Sequence, residues 1–144
     1  MFSKACEYGI KATVYIAQQM DEHSRVSLTD ISEEIDSPTP YTAKILQQLV
    51  RGGILNSKKG PHGGFYLEKA GLKKLTLANI VSTIDGDSIY TGCGLGLKNC
   101  DEKKPCPMHD SFKAIRQDLR FMLESTKVDE LSKGLSNKLT FLKN

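Results

Sequence analysis

The sequence predicts a mainly α-helical chain with a small β-hairpin and a long helix near its C-terminal end, and three observations carry that prediction. Two short amphipathic stretches, residues 28–35 and 39–51, are separated only by a turn around Asp36-Ser37-Pro38. Directly after them a glycine-rich tip, Gly60-Pro61-His62-Gly63-Gly64, interrupts two strand-like runs. Beyond residue 110, Phe112, Ile115, Leu119 and Met122 recur at steps of three and four, a narrow apolar seam.

Taken in order, residues 3 to about 20 form a helix, because Cys6, Ile10, Val14 and Ala17 share one face while Lys4, Glu7, Lys11 and Gln18 lie elsewhere on the wheel. Asp21 to Arg25 is a polar turn, and Ser27 stands at the N-cap of a two-turn helix with Leu28, Ile31 and Ile35 inward. That helix stops before Pro38, since the residue preceding a proline is driven from helical geometry. The next helix has Thr39 as its expected cap, Pro40 in the first helical position and Gly52-Gly53 as its stop. Its buried stripe is Ile45, Leu46, Leu49 and Val50, which leaves Tyr41, Thr42, Lys44, Gln47, Gln48 and Arg51 facing solvent or a partner.

Residues 54–69 make the hairpin, a wing placed immediately after a recognition-type helix. Thr76 caps a further helix with Leu77, Ile80, Val81 and Ile84 on one face, ended by Gly86. The seam of Phe112, Ile115, Leu119 and Met122 is narrow enough to predict a dimer helix, and Val128, Leu131, Leu135, Leu139 and Leu142 are expected to fold back on the same interface. The fold class is therefore a winged helix-turn-helix plus a long dimerisation helix.

Composition narrows the function. At 144 residues with 39% hydrophobic and 26% charged side chains, the chain suits one globular domain, and no apolar run approaches a membrane span. The first helix carries Glu7 where a secretory signal needs unbroken apolar residues, so a cytoplasmic protein without disulfides is expected. Net charge is only +3, but residues 51–74 hold six basic side chains against the single acid Glu68. Positive charge gathered in one segment suits a surface that faces phosphates.

Three of the four cysteines and one of three histidines lie in TGCGLGLKNCDEKKPCPMH, residues 91–109. Cys93, Cys100, Cys106 and His109 follow the spacing C-x6-C-x5-C-x2-H, a complete donor set for structural zinc or for an iron–sulfur cluster. The short C-x2–4-C knuckle of zinc sites is missing. Gly92, Gly94 and Gly96 would let backbone pass close around an object larger than one ion. A zinc staple, inert thiols and a Cys–His nucleophile pair stay open on these residues alone, the last without an evident third group.

The segments LTDISEEI, PYTAKILQQLVRGGIL and SKKGPHGGFYL, with the helix over 76–85, the cysteine loop and the helix from 110, resemble the bacterial winged-helix regulators of the IscR and NsrR type, the Rrf2 family. The similarity spans essentially the whole chain. It implies a homodimeric transcription factor, usually a repressor, whose loop binds a cluster that senses cluster supply, nitric oxide or redox state, and which is not an enzyme and takes no small-molecule substrate. In the IscR-like branch the cluster is [2Fe-2S], with three cysteines and a histidine as ligands, falling here on Cys93, Cys100, Cys106 and His109. The NsrR branch binds [4Fe-4S] with an N-terminal carboxylate, for which Glu7 is the nearest residue here. Lys59 stands where the IscR branch carries arginine, so the operator need not match.

The expected organisation is a DNA-binding domain over residues 1–86, a cluster-binding loop over 87–109, and a dimerisation helix with a C-terminal helix over 110–144. The expected partner is double-stranded DNA carrying a near-palindromic operator. Thr39, Pro40, Tyr41, Thr42 and Lys44 would approach the major groove, and Lys58, Lys59 and His62 the backbone or minor groove. The rivals are the same regulator with structural zinc or without a cluster, and an iron–sulfur protein that carries electrons.

Overall fold

A computed structural model describes residues 1–144. Eight helices and one hairpin follow in the order α1 (Lys4–Gln19), α2 (Leu28–Glu34), α3 (Thr39–Arg51), β1 (Asn56–Lys58), β2 (Gly64–Tyr66), α4 (Lys69–Leu72), α5 (Leu77–Ile84), α6 (Ser88–Thr91), α7 (His109–Ser125) and α8 (Val128–Ser136). The single-turn helices α4 and α6 have no sequence signature, because one turn is too short to show a period.

Local chemistry starts the long elements where expected. Ser3 caps α1 and Ser27 caps α2, each hydroxyl accepting from a backbone N–H three residues on, which contributes about 1 kcal/mol per helix. Thr76 and Asn79 form a reciprocal capping box at α5. At α3 the expectation is corrected: Pro38 occupies the cap position, Thr39 is already helical, and no side chain caps the helix. The α2–α3 turn is closed by Asp36 in the left-handed region (φ 52°), a conformation aspartate tolerates better than most residues.

The first three helices and the hairpin enclose a core in which Ile16, Ile31, Leu46, Leu49 and Ile80 are completely buried. Thr13 is also buried, its hydroxyl donating to the Gly9 carbonyl at 2.7 Å. Leu46→Ala should cost about 2–5 kcal/mol of stability, read as a lower urea midpoint at an unchanged slope. A slope that falls with the midpoint would show that the transition is no longer a single cooperative step.

β1 and β2 pair antiparallel with Asn56 opposite Tyr66, Ser57 opposite Phe65 and Lys58 opposite Gly64. Val26 adds a bridge to Phe65 on the other edge, with N–H···O distances of 2.9 and 2.8 Å. The wing is thereby tied to the start of α2 as well as to the end of α3.

The C-terminal part departs from expectation. Val128 is completely buried and, with Leu131 and Leu135, joins the core that α1 lines, so α8 packs on α1 and not along α7. Backbone bonds fix its entry: Leu77 N–H to Thr126 O (3.1 Å) and Val128 N–H to Leu75 O (3.0 Å). Leu139, by contrast, is exposed. On α7 the fully buried residue is Leu123, which packs with Cys6 and Val81.

Candidate functional site

Two regions of the surface carry the chemistry. The first is the N-terminal end of α3 with the wing. Thr39, Pro40, Tyr41 and Lys44 are exposed there, as are Lys58, Lys59 and His62 on the hairpin. Thr42 is corrected: it is 1% exposed, with Oγ1 lying 2.8 Å from Ser37 Oγ and 3.0 Å from the Pro38 carbonyl oxygen. It locks the α2–α3 turn and does not face outward. Its position three, four and seven residues before Ile45, Leu46 and Leu49 places it on their stripe, a signal its polarity masks.

The wing tip is pinched. Gly60 adopts φ 109°, and a Cβ added to Gly63 would lie 2.1 Å from the Lys58 carbonyl oxygen, so backbone packs on backbone under Lys58 and Lys59. Two neighbours were not legible in the sequence. Arg25, from the turn before α2, lines one hollow with Ser24, Lys58 and Tyr66. Tyr8 of α1 meets Tyr41 edge-on, ring centroids 5.8 Å apart, with Lys4 and Lys11 ammonium groups 5.0 and 5.3 Å from its ring centre. Lys4 and Lys11 of α1 therefore stand near the exposed end of α3, and Arg25 of the α1–α2 turn stands beside Lys58 on the wing.

The second region is the loop between α6 and α7. All four cysteines are free thiols, with Cys93, Cys100 and Cys106 half-buried. His109 opens α7 and is 7% exposed. The donors form two pairs: Cys93 Sγ lies 3.9 Å from Cys106 Sγ, and Cys100 Sγ lies 3.4 Å from His109 Nδ1. No three His, Cys, Asp or Glu side chains gather into one metal-holding group.

The separations within each pair are informative. A tetrahedral metal with sulfur bonds of about 2.3 Å and nitrogen bonds of about 2.0–2.1 Å sets two ligands about 3.5–3.8 Å apart. Each pair matches one edge of such a site. The donor set fits a two-iron cluster in its chemistry, and each pair has the spacing of two ligands on one metal.

The surroundings of Cys93 favour its charged form. The N–H groups of Leu95 and then Leu97 hold the Cys93 thiol below its usual range, the Leu95 nitrogen lying 3.4 Å from Sγ. Arg116 of α7 donates from Nη2 to Cys100 Sγ at 3.0 Å. Lys113 forms an ion pair with Glu102, which lowers the carboxyl and raises the amine relative to their ordinary values. Cys6 behaves oppositely: burial, then the charge of Asp85, pushes its thiol up to about 12, which makes it a core side chain and no ligand.

The expected seam on α7 divides. Phe112 is half-buried against Gly94, where an added Cβ would lie 2.3 Å from the ring, and Leu119 packs with Cys6, Val81 and Leu123. Ile115 (61% exposed) and Met122 (44%) face solvent, as does Phe121 (74%).

The chain matches the model of the Rrf2 family, iron-dependent transcriptional regulators, over residues 2–134. It is 28% identical over 133 residues to a putative HTH-type transcriptional regulator of Aquifex aeolicus, covering 91% of this chain and 90% of that one. It is likewise 28% identical over 128 residues to the HTH-type transcriptional regulator IscR of Xenorhabdus nematophila, covering 88% and 76%. Among solved structures, CymR, the global cysteine regulator of B. subtilis, superposes with a TM-score of 0.74 at 20% identity over 92% of this chain and 96% of that one. T. potens IscR superposes with a TM-score of 0.73 at 20% identity, covering 97% and 92%. At that identity the structures establish the shared winged-helix fold.

Proposed function

From the premise that the chain belongs to the Rrf2 family of iron-dependent transcriptional regulators, and so is a DNA-binding regulator and not an enzyme, we propose a homodimeric cytoplasmic repressor that senses iron–sulfur status, redox state or nitric oxide through a [2Fe-2S] cluster. The observation that carries the cluster reading is the pairing of Cys93 with Cys106 and of Cys100 with His109 at ligand-to-ligand distances. Those four residues would hold the cluster. When bound it supplies a one-electron couple, and an imidazole in place of a thiolate raises its potential.

The chain's own residues account for the rest of the reading. Residues 1–86 form the DNA-binding unit and 87–109 the ligand loop, while 110–144 hold the dimerisation helix α7 and the C-terminal helix α8, which anchors this part to α1. In a dimer related by a two-fold axis, two α3 helices meet two half-sites of a near-palindromic operator. Tyr41 and Lys44 approach base edges, with Thr39 and Pro40 beside them. Lys58, Lys59 and His62 contact phosphates or the minor groove. No helix of the chain is long and apolar enough to cross a membrane.

The test is an absorption and circular dichroism spectrum of protein purified without oxygen, with iron, sulfide and zinc assayed on the same sample. Two irons and two sulfides per chain with thiolate-to-iron bands support the reading, and zinc alone after attempted reconstitution replaces it with a structural staple. Failure to bind any DNA in a salt-sensitive way would leave an electron carrier as the better account.

Lys59→Ala should weaken operator binding and flatten its salt dependence by about one counterion. An unaltered slope of affinity against salt removes this side chain from the contact.

A further inference from the structure

We propose that Arg116 is a positioning residue that clamps the cysteine loop to α7 and holds positive charge against the Cys100 sulfur. The mechanical half stands on geometry alone, and the electronic half rests on the [2Fe-2S] reading above. Nη1 of Arg116 donates to the Gly92 carbonyl at 2.9 Å, and Nη2 donates to Cys100 Sγ at 3.0 Å. Gly92 directly precedes Cys93, so one guanidinium grips the loop beside its first ligand and at its second. The grip comes from a position two turns into α7.

The fork matters because a planar guanidinium holds two acceptors in one fixed geometry, which a lysine ammonium on a flexible stem does not. The neighbouring cations have other partners: Lys113 pairs with Glu102, while Arg120 lies 4.9 Å from the Tyr90 ring centre and 3.9 Å from Glu124. Arg116 is the cation that reaches a ligand sulfur. It lines one cavity of about 330 Å³ with Cys100 and His109, so the fork forms part of the wall beside that donor pair.

Two consequences follow. The loop is coupled mechanically to α7, the helix read as the dimer element. Electrically, a donor and a positive charge at a ligand sulfur favour the form of a cluster carrying the extra electron, and hydrogen bonds to sulfur are among the determinants of cluster potential.

Arg116→Met and Arg116→Lys in the full chain separate these roles. In the metal-free protein, amide hydrogen exchange is read at Gly92 and Gly96, whose N–H groups bond to the Ser88 and Cys93 carbonyls at 2.8 and 2.9 Å. Both variants should exchange there at least tenfold faster while α1 and α5 keep their rates, since neither side chain can hold both acceptors. In protein reconstituted with iron and sulfide, Arg116→Met should shift the one-electron equilibrium about tenfold toward the oxidised form, roughly 59 mV lower in potential. Arg116→Lys should restore most of it.

Unchanged exchange in Arg116→Met overturns the clamp. Accelerated exchange with an unchanged potential, or a potential that lysine does not restore, overturns the electronic half. If the unaltered chain takes up no iron and sulfide, the [2Fe-2S] reading fails together with the electronic half, and the exchange rates alone decide the clamp.

Discussion

Cys100→Ala is expected to leave a folded protein with no visible charge-transfer bands and no retained iron after reconstitution. The reason lies in the pairing. Cys100 is the only sulfur within bonding reach of His109, and a neutral imidazole alone does not keep iron against buffer and chelators. Removing Cys100 thus leaves one of the two donor pairs with the imidazole alone. It also deprives Arg116 of one of its two acceptors. The control is Cys6→Ala: Cys6 is completely buried beside Val81 and Leu123, so this change should cost stability and spare the spectrum. An absorption spectrum of Cys100→Ala that matches the unaltered protein would remove Cys100 from the ligand set.

In the proposed dimer, Ile115→Glu should leave a monomer and reduce operator affinity at least a hundredfold. Ile115 is 61% exposed, with Met122 seven residues on and Phe121 also turned outward. Ile115 and Met122 share one exposed strip of a helix whose neighbouring face packs inward through Leu119 and Leu123, and that strip is the surface we propose for contact with a second copy. In a two-fold dimer the same residue appears on both partners, so the substitution brings two carboxylates into one desolvated surface. Losing the link between half-sites removes the gain from tethered binding, typically 10² to 10⁴. Sedimentation velocity checks the assembly, and the thermal midpoint of the monomer checks that the fold survives. A dimer that persists in this variant at micromolar concentration would place the interface elsewhere.

Much of the DNA-binding end was legible because its determinants are local. The caps at Ser27 and Thr76, the inward stripe of Ile45, Leu46 and Leu49, and the glycine-rich tip all act within a few residues along the chain. Their periods and turn residues can therefore be read directly. Thr42 shows the limit. Its place on the stripe was visible, but that a hydroxyl would be buried there depended on Ser37 and the Pro38 carbonyl being within hydrogen-bond reach.

By itself the sequence determined the inventory: a winged helix-turn-helix, four soft or borderline donors in one glycine-spaced loop, and a long amphipathic helix after it. Only the tertiary structure decided how these parts face one another. It set α8 against α1, turned Leu123 inward and Ile115 outward, brought Arg25 to Lys58 and Tyr8 to Tyr41, and joined Arg116 to Cys100. It also sorted four equivalent-looking donors into two pairs. The physical reason is range. Capping, periodicity and turn geometry are interactions between residues a few positions apart, while these contacts join residues from distant elements. Which of several apolar or charged groups ends up adjacent is settled by the shape left when the helices pack, and spacing along the chain does not encode that shape.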